Sequence, residues 1–464
     1  IAVLHSGIGA AMRYDQWRRI GRGDARIVVG ARSAVFAPVR DLRLIIVDEE
    51  HDTSYKQDER MPYNARDLAV VRAQQRGAAV VLGSATPGLQ SCYNTREKRF
   101  GYLSLTRRVE QRELPHIEIV DMKGERDPNG RVRPLSRLLV EQIGRTLEAG
   151  KQTLLFLNRR GFNTYHYCGD CAHVFRCLNC AVSLTHHLSE GTLRCHYCDF
   201  AVKAPPSCPG CGGGRILSYG LGTERLAAEV QALFPRARIA RMDSDTTSAR
   251  GSHERILAAL GRGEIDILVG TQMITKGHDF PDVTLVGVVS ADTTLNMPDF
   301  RAAERTFQVL TQVSGRSGRG EQPGTVVIQT LNPGHYAIRR SSAHDFTGFY
   351  EDEIALRRDL QYPPFSRMIN LIVSGTNRER VEKGAERLGQ RAKRLAASAD
   401  IKARPTVTGP MEAPLGKVRG RYRWQLLVRG KQVRALHAFV RRLVEGADMT
   451  GCEVRVDVDP LNFM

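Results

Sequence analysis

Apolar residues recur along this chain in two rhythms. Short, nearly unbroken aliphatic runs at Leu44–Val47, Ala79–Leu82, Gln152–Leu157 and Ile265–Gly270 predict strands covered on both faces. Apolar positions at helical spacing mark Leu135–Leu147 and Gly222–Pro235. Ala25–Val39 reads as a strand, a turn at Ser33, a short helix start and a stop at Pro38. Strands alternating with helices call for a parallel α/β sheet. From about residue 345 the pattern changes. A helix around Glu351–Leu360, a strand in QYPPFSRMINLIVSG, a long basic helix over Arg378–Ala397 and a strand pair around GPMEAPLGKVRGRYRWQLLVRG predict a small α+β domain.

The run at Leu44–Val47 ends abruptly in Asp48, Glu49, Glu50 and His51. Ligand sites of open parallel sheets lie at such strand exits, and adjacent carboxylates repel unless a cation or catalytic work offsets the repulsion. Asp48 suits a ligand to Mg²⁺ on a nucleotide phosphate, and Glu49 a base that orients the attacking water. A solvated acidic turn is the alternative. The loop that follows, Asp52–Arg66, interleaves rings and cations (Tyr55, Lys56, Arg60, Tyr63, Arg66), as single-stranded nucleic acid requires. An ordinary charged loop with two packed tyrosines would look similar.

Eight of the 10 cysteines fall within Cys168–Cys211 as four C-x-x-C knuckles. Two knuckles complete a tetrahedral Zn²⁺ site with Zn–S of about 2.3 Å. Disulfides and Fe–S ligation are the rivals, and four regular knuckles favour zinc. Five residues separate Cys171 from Cys177, a tight loop, whereas fourteen separate Cys180 from Cys195, close to ribbon length. The inner knuckles Cys177, Cys180, Cys195 and Cys198 should therefore share one zinc, leaving Cys168, Cys171, Cys208 and Cys211 for the other. All-thiolate shells leave no open position, so both ions would be structural. His166, His173, His186, His187 and His196 read as surface or hydrogen-bonding residues, and Cys92 and Cys452 as buried free thiols.

Farther along come ILVGTQMITKGHDF at Ile267–Phe280 and QVSGRSGRG at Gln312–Gly320. DEEH, SAT at Ser84–Thr86, GTQMITKGHDF and QVSGRSGR resemble, in this order, the later motifs of superfamily 2 helicases. With the cysteine block they look like a PriA-type primosomal DNA helicase, a likeness running to DVDPLNFM at the end of the chain. The resemblance implies two RecA-like lobes, the first incomplete, a two-zinc insertion in the second lobe and a carboxy-terminal α+β domain. The expected division is 1–105 for the remainder of lobe one, 106–165 for a connector and the start of lobe two, 166–214 for the zinc insertion, 215–344 for the rest of lobe two, and 345–464 for the last domain. It implies ATP with Mg²⁺ as cofactor beside two Zn²⁺. Asp48, Glu49, His51, Gln312, Arg316 and Arg319 would be catalytic, with Gly270, Thr271, Gln272, Gly277 and Asp279 also at the nucleotide and Lys276 on DNA. Arg316 and Arg319 lie three apart, on one face if that segment is helical, where they could act as arginine fingers. The implied activity is ATP-driven 3′–5′ unwinding at stalled forks. Partners would be forked and single-stranded DNA, single-stranded DNA-binding protein and other primosome proteins, with the chain itself a monomer. Another superfamily 2 translocase and a non-catalytic fork-binding scaffold are the rival readings.

Composition sharpens this picture. The 464 residues suffice for about three domains. The 68 Lys+Arg against 50 Asp+Glu give a net charge of +18, which suits a polyanion partner. No stretch approaches a membrane span and no signal peptide is evident, so the cytoplasm is the expected compartment. No G-x-x-x-x-G-K-[ST] loop occurs, although Ile1–Ser6 already reads as a strand and turn within a domain. The expectation is therefore a carboxy-terminal piece that begins after its phosphate loop and is not competent to hydrolyse ATP alone. A natural variant without ATPase activity is the alternative.

Overall fold

The computed structural model describes residues 1–58, 61–105, 114–128, 132–158, 166–187, 191–218, 222–243, 246–247, 251–275, 280–318, 324–398 and 404–461. Two compact units emerge: Ile1–Gly101 with Ile369–Leu371 and Arg455–Asn462, and the remainder of the chain. No described helix is long and apolar enough to cross a membrane.

In the first unit Ala2–Leu4 pairs in parallel with Val28–Gly30, and Leu44–Val47 with Ala79–Leu82. The helix Ala65–Arg76 packs on the second pair, and its buried Ala65, Ala69 and Ala73 form the contacting stripe. Asn64 caps its start and Gly77 closes it with a φ of 61°, which a side-chain-free residue adopts without strain. The expected two-sided burial of Leu44–Val47 is not met. Leu44 and Ile46 are 50% and 66% exposed, because the described helices cover one face of this pair. The short helix start expected after Gly30 is a 3₁₀ turn, Arg32–Phe36.

The second unit holds a six-stranded, wholly parallel sheet. Its order is Ile239–Met242, Ile267–Gly270, Gln152–Phe156, Val283–Val288, Thr325–Thr330, His116–Asp121. The last strand falls in the stretch expected to be mostly connector, where alternating HIEIVD escaped notice; it lies at the sheet's edge. The core is aliphatic: Leu139 and Ile143 of helix Arg137–Glu148 and Leu226 and Val230 of helix Thr223–Leu233 pack with Leu155, Ile267, Val269 and Val327. Burying such side chains is worth about 1.5–3 kcal/mol each. A long antiparallel hairpin of Thr406–Val418 with Arg421–Gly430 follows, with helix Arg378–Ala397 packed on it. This is a parallel α/β architecture with a cysteine-rich insertion and an α+β end.

Candidate nucleotide and metal sites

The acidic tip is a built turn. Asp48 and Glu49 face solvent, while Glu50 is buried. Glu49 takes a φ of 47°, a left-handed value uncommon for a side chain of this kind and frequent at functional sites. The Asp48 carboxylate accepts the Glu49 N–H at 2.9 Å. His51 Nδ1 lies 2.7 Å from Ser84 Oγ and 3.5 Å from Glu49 Oε2. Ser84 Oγ also accepts the Thr86 N–H at 2.9 Å, and Glu50 N–H bonds to Gly83 O at 3.0 Å. DEEH and SAT are thus one hydrogen-bonded unit across adjacent parallel strands.

Glu50, which the sequence reading did not single out, anchors this unit. Its two oxygens accept from Gly88 N at 2.5 Å, Ser91 Oγ at 2.9 Å and Arg66 Nη1 at 3.2 Å. Arg66, expected on DNA, is therefore held inside by Glu50 and by Asp67. Lys56, also expected on DNA, is 7% exposed, and its ammonium meets Asp457 at 2.7 Å and the Val458 carbonyl at 2.6 Å. A buried ammonium needs such partners, and both cations are engaged by carboxylates of the protein itself. Tyr63 packs edge-on against Phe36 at 5.0 Å. The Tyr55 hydroxyl donates to the Asp48 carbonyl at 2.6 Å. Burial first, then the carboxylates of Asp48, Asp52, Glu49 and Glu50, raise its pKa and keep it a donor. Arg60 lies outside the described residues.

In the second unit Gly270 closes its strand because a Cβ there would sit 2.6 Å from the Ile274 side chain and 3.0 Å from the Met242 carbonyl. Thr271 and Gln272 follow at the exit, half-buried, Gln272 opening the 3₁₀ turn Gln272–Thr275. Lys276, Gly277 and Asp279 lie outside the described residues. Helix Ala302–Ser314 carries Gln312 and ends before Arg316, which sits in the following turn with its N–H on the Val313 carbonyl. The segment is not helical at Arg316, so the condition for a face shared with Arg319 is not met there, and Arg319 lies outside the described residues.

The cysteines gather as the spacing argued. Cys168, Cys171, Cys208 and Cys211 form one cluster and Cys177, Cys180, Cys195 and Cys198 the other, all ligand atoms of each within 4.8 Å. Sulfur separations of 3.6 Å (Cys168–Cys211 and Cys171–Cys208) and 3.5 Å (Cys177–Cys198) match the edge of about 3.8 Å that a tetrahedron of Zn–S bonds requires. The donor set fits two structural zinc ions. None of the cysteines is joined in a disulfide. Burial pushes the Cys177 thiol up to about 12, so an ion must displace its proton. Burial also raises Cys208, but the Gly210 and Cys211 N–H groups outweigh it and bring that thiol down to about 7. No histidine joins either cluster among the described residues; His166 and His186 meet edge-on at 4.4 Å, and His196 is buried. Cys92 and Cys452 are half-buried, less enclosed than expected.

Three family descriptions match: the primosomal protein N C-terminal domain at 358–461, the PriA DNA helicase Cys-rich region at 177–203 and the helicase conserved C-terminal domain at 212–321. The chain is 45% identical over 470 residues to the replication restart protein PriA of Bacillus subtilis, covering 100% of this chain and 57% of that protein. It is 41% identical to its counterpart in Synechocystis, covering 100% and 56%. To the Treponema pallidum protein it is 40% identical, covering 100% and 69%. The chain thus spans little more than half the length of the first two. A solved RecG structure on a three-way DNA junction is 14% identical, covers 78% of this chain and 39% of its own, and has a TM-score of 0.40, too loose a likeness to place a site.

Proposed function

The chain belongs to the PriA family of replication restart proteins, and from that premise we propose that it is motor machinery of a fork-directed DNA helicase. In this reading ATP is bound with Mg²⁺ and its hydrolysis drives 3′–5′ movement on single-stranded DNA, in the service of primosome assembly. The observation that carries it is the Asp48–His51 turn: two exposed carboxylates at a parallel strand exit, held by Ser84 and buried Glu50. Asp48 would hold the metal, which neutralises phosphate charge, and Glu49 would orient the water. Gln312 and Arg316 would stabilise charge developing on the transferred phosphoryl. Tyr55 ties the polar-aromatic loop to Asp48 itself, which supports communication between DNA contact and hydrolysis. Of the residues expected on DNA, Tyr55 and Tyr63 remain in this proposal; Lys56 and Arg66 leave it. The inner and outer thiolates would hold two zinc ions that shape the insertion and take no part in phosphoryl transfer.

These 464 residues contain no G-x-x-x-x-G-K-[ST] loop, and positioning is most of phosphoryl-transfer catalysis. DNA-stimulated ATPase assays test the proposal. Residues 1–464 should bind DNA yet hydrolyse no appreciable ATP. A chain extended ahead of Ile1 by a loop-bearing segment should hydrolyse it, and Glu49→Gln there should abolish turnover while sparing nucleotide binding. Full turnover with Glu49→Gln would overturn the assignment of Glu49. Hydrolysis by residues 1–464 alone would move the phosphate site elsewhere. An inert extended chain that still binds forks would favour the scaffold.

A further inference from the structure

The inner thiolate cluster is welded to the start of the helix that carries Gln312. Tyr197 sits between Cys195 and Cys198 and is buried. Its hydroxyl oxygen accepts the Phe300 N–H at 3.1 Å, and its ring meets Phe300 and Tyr362 edge-on, with centroids 6.2 and 5.5 Å away. Tyr362 stacks on Phe300 at 5.0 Å and donates its hydroxyl to the carbonyl of Cys180 at 3.2 Å. Arg176, beside Cys177, reaches the Asn296 side chain at 3.0 Å. Arg357 lies over Phe300, 5.1 Å from the ring centroid, and is clamped by Glu304 and Glu353 at 2.7 Å each. Phe300 and Glu304 bracket the first residues of helix Ala302–Ser314. The residues of this cluster share one apolar core: Cys177, Cys195 and Tyr197 pack with Phe300, Tyr362, Met368 and Leu427.

The outer cluster is built differently. Cys211 is exposed. Arg126 braces it, donating to the Gly169 and Asp170 carbonyls at 3.1 and 2.7 Å, and Ile216, the strand partner of Cys168, packs only at the margin of the shared core. None of its four ligands belongs to the shared apolar core.

We propose that the inner metal site is a positioning device for helix Ala302–Ser314, and through it for Gln312 and Arg316, and that the outer site is not. Two-residue knuckles hold Tyr197 and the Cys180 carbonyl in place only while their thiolates converge on an ion. Without an ion no bond holds the four sulfurs to a common centre, and the knuckles are free to spread. Tyr197 and Tyr362 then lose the geometry that fixes Phe300. This rests on the reading of the thiolates as metal sites, and is independent of ATP hydrolysis.

Hydrogen exchange on residues 1–464, read beside zinc content, tests it. Cys198→Ser and Cys211→Ser should each lower the zinc content below that of the parent chain. Only Cys198→Ser should raise exchange across 297–308, by about tenfold or more, because opening there becomes local. Tyr197→Phe keeps the ring and both ions but removes the acceptor for the Phe300 N–H, so it should speed exchange at that amide alone; with the metal content unchanged, loss of zinc cannot explain that change. Unaltered exchange at 297–308 after loss of the inner ion, or equal disturbance from Cys211→Ser, overturns the inference. A parent chain that binds no zinc overturns the metal reading, and the inference with it.

Discussion

Three consecutive carboxyl side chains, Asp48, Glu49 and Glu50, read alike in the sequence, and the fold gives them different environments. Two are presented to solvent and one is spent inside on Gly88, Ser91 and Arg66. That division was not legible, because the partner that decides it, Arg66, lies sixteen residues away at the end of a loop. The same distance problem hid Lys56, whose carboxylate partner is Asp457. Asp292 is a third case, at the exit of strand Val283–Val288. Burial lifts its pKa from 3.8 to about 6, against the pull of the Leu331 N–H and the Thr330 hydroxyl. Between those values the folded chain holds the proton and the unfolded chain does not, so stability should fall as pH rises from about 4 to about 6. Asp292→Asn can still accept from Leu331 N–H and can donate to Thr330 Oγ, and it has no proton to lose. Denaturant unfolding across that window should show the parent losing up to about 3 kcal/mol relative to the variant. Parallel pH curves for the two chains would contradict the assignment.

At the scale of elements, period and punctuation were sufficient for most of the chain. Arg378–Ala397 forms the expected helix at the expected bounds, with Val381, Ala385, Leu388 and Ala392 buried along one stripe. Cysteine spacing alone paired the knuckles, because sulfur geometry leaves little freedom once two residues separate the ligands. What stayed hidden was the company the inner knuckles keep. Tyr197, Phe300 and Tyr362 are remote in sequence, and no period links them. The clusters also make a direct prediction. Atomic absorption on protein purified without chelator should find two zinc ions per chain, and affinity should weaken as pH falls, since protons compete for each thiolate. Iron in place of zinc, or metal content indifferent to pH, would contradict the all-thiolate zinc assignment.

For the whole molecule the informative quantity is the net charge of +18, and the fold changes how it should be read. Part of the positive charge is internal: Lys56 answers Asp457, Arg66 answers Glu50, and Arg357 answers Glu304 and Glu353. Such cations release no counterions when DNA binds, so the salt dependence should report fewer phosphates than the residue count suggests. Each neutralised phosphate on a single strand contributes about −0.7 to the slope of log affinity against log salt. The slope for residues 1–464 should therefore be clearly negative, and Lys56→Gln should leave it unchanged even where it costs stability. Stacking carries no charge. If Tyr63 contacts bases, Tyr63→Ala should cost about 1–3 kcal/mol per stacked base at every salt concentration, which moves the line without tilting it. Fluorescence titrations with an oligothymidine at several salt concentrations separate the two effects. A Lys56→Gln line less steep than the parent's would return that ammonium to the DNA interface. A Tyr63→Ala line superimposed on the parent's would leave Tyr63 as the packing partner of Phe36 and nothing more.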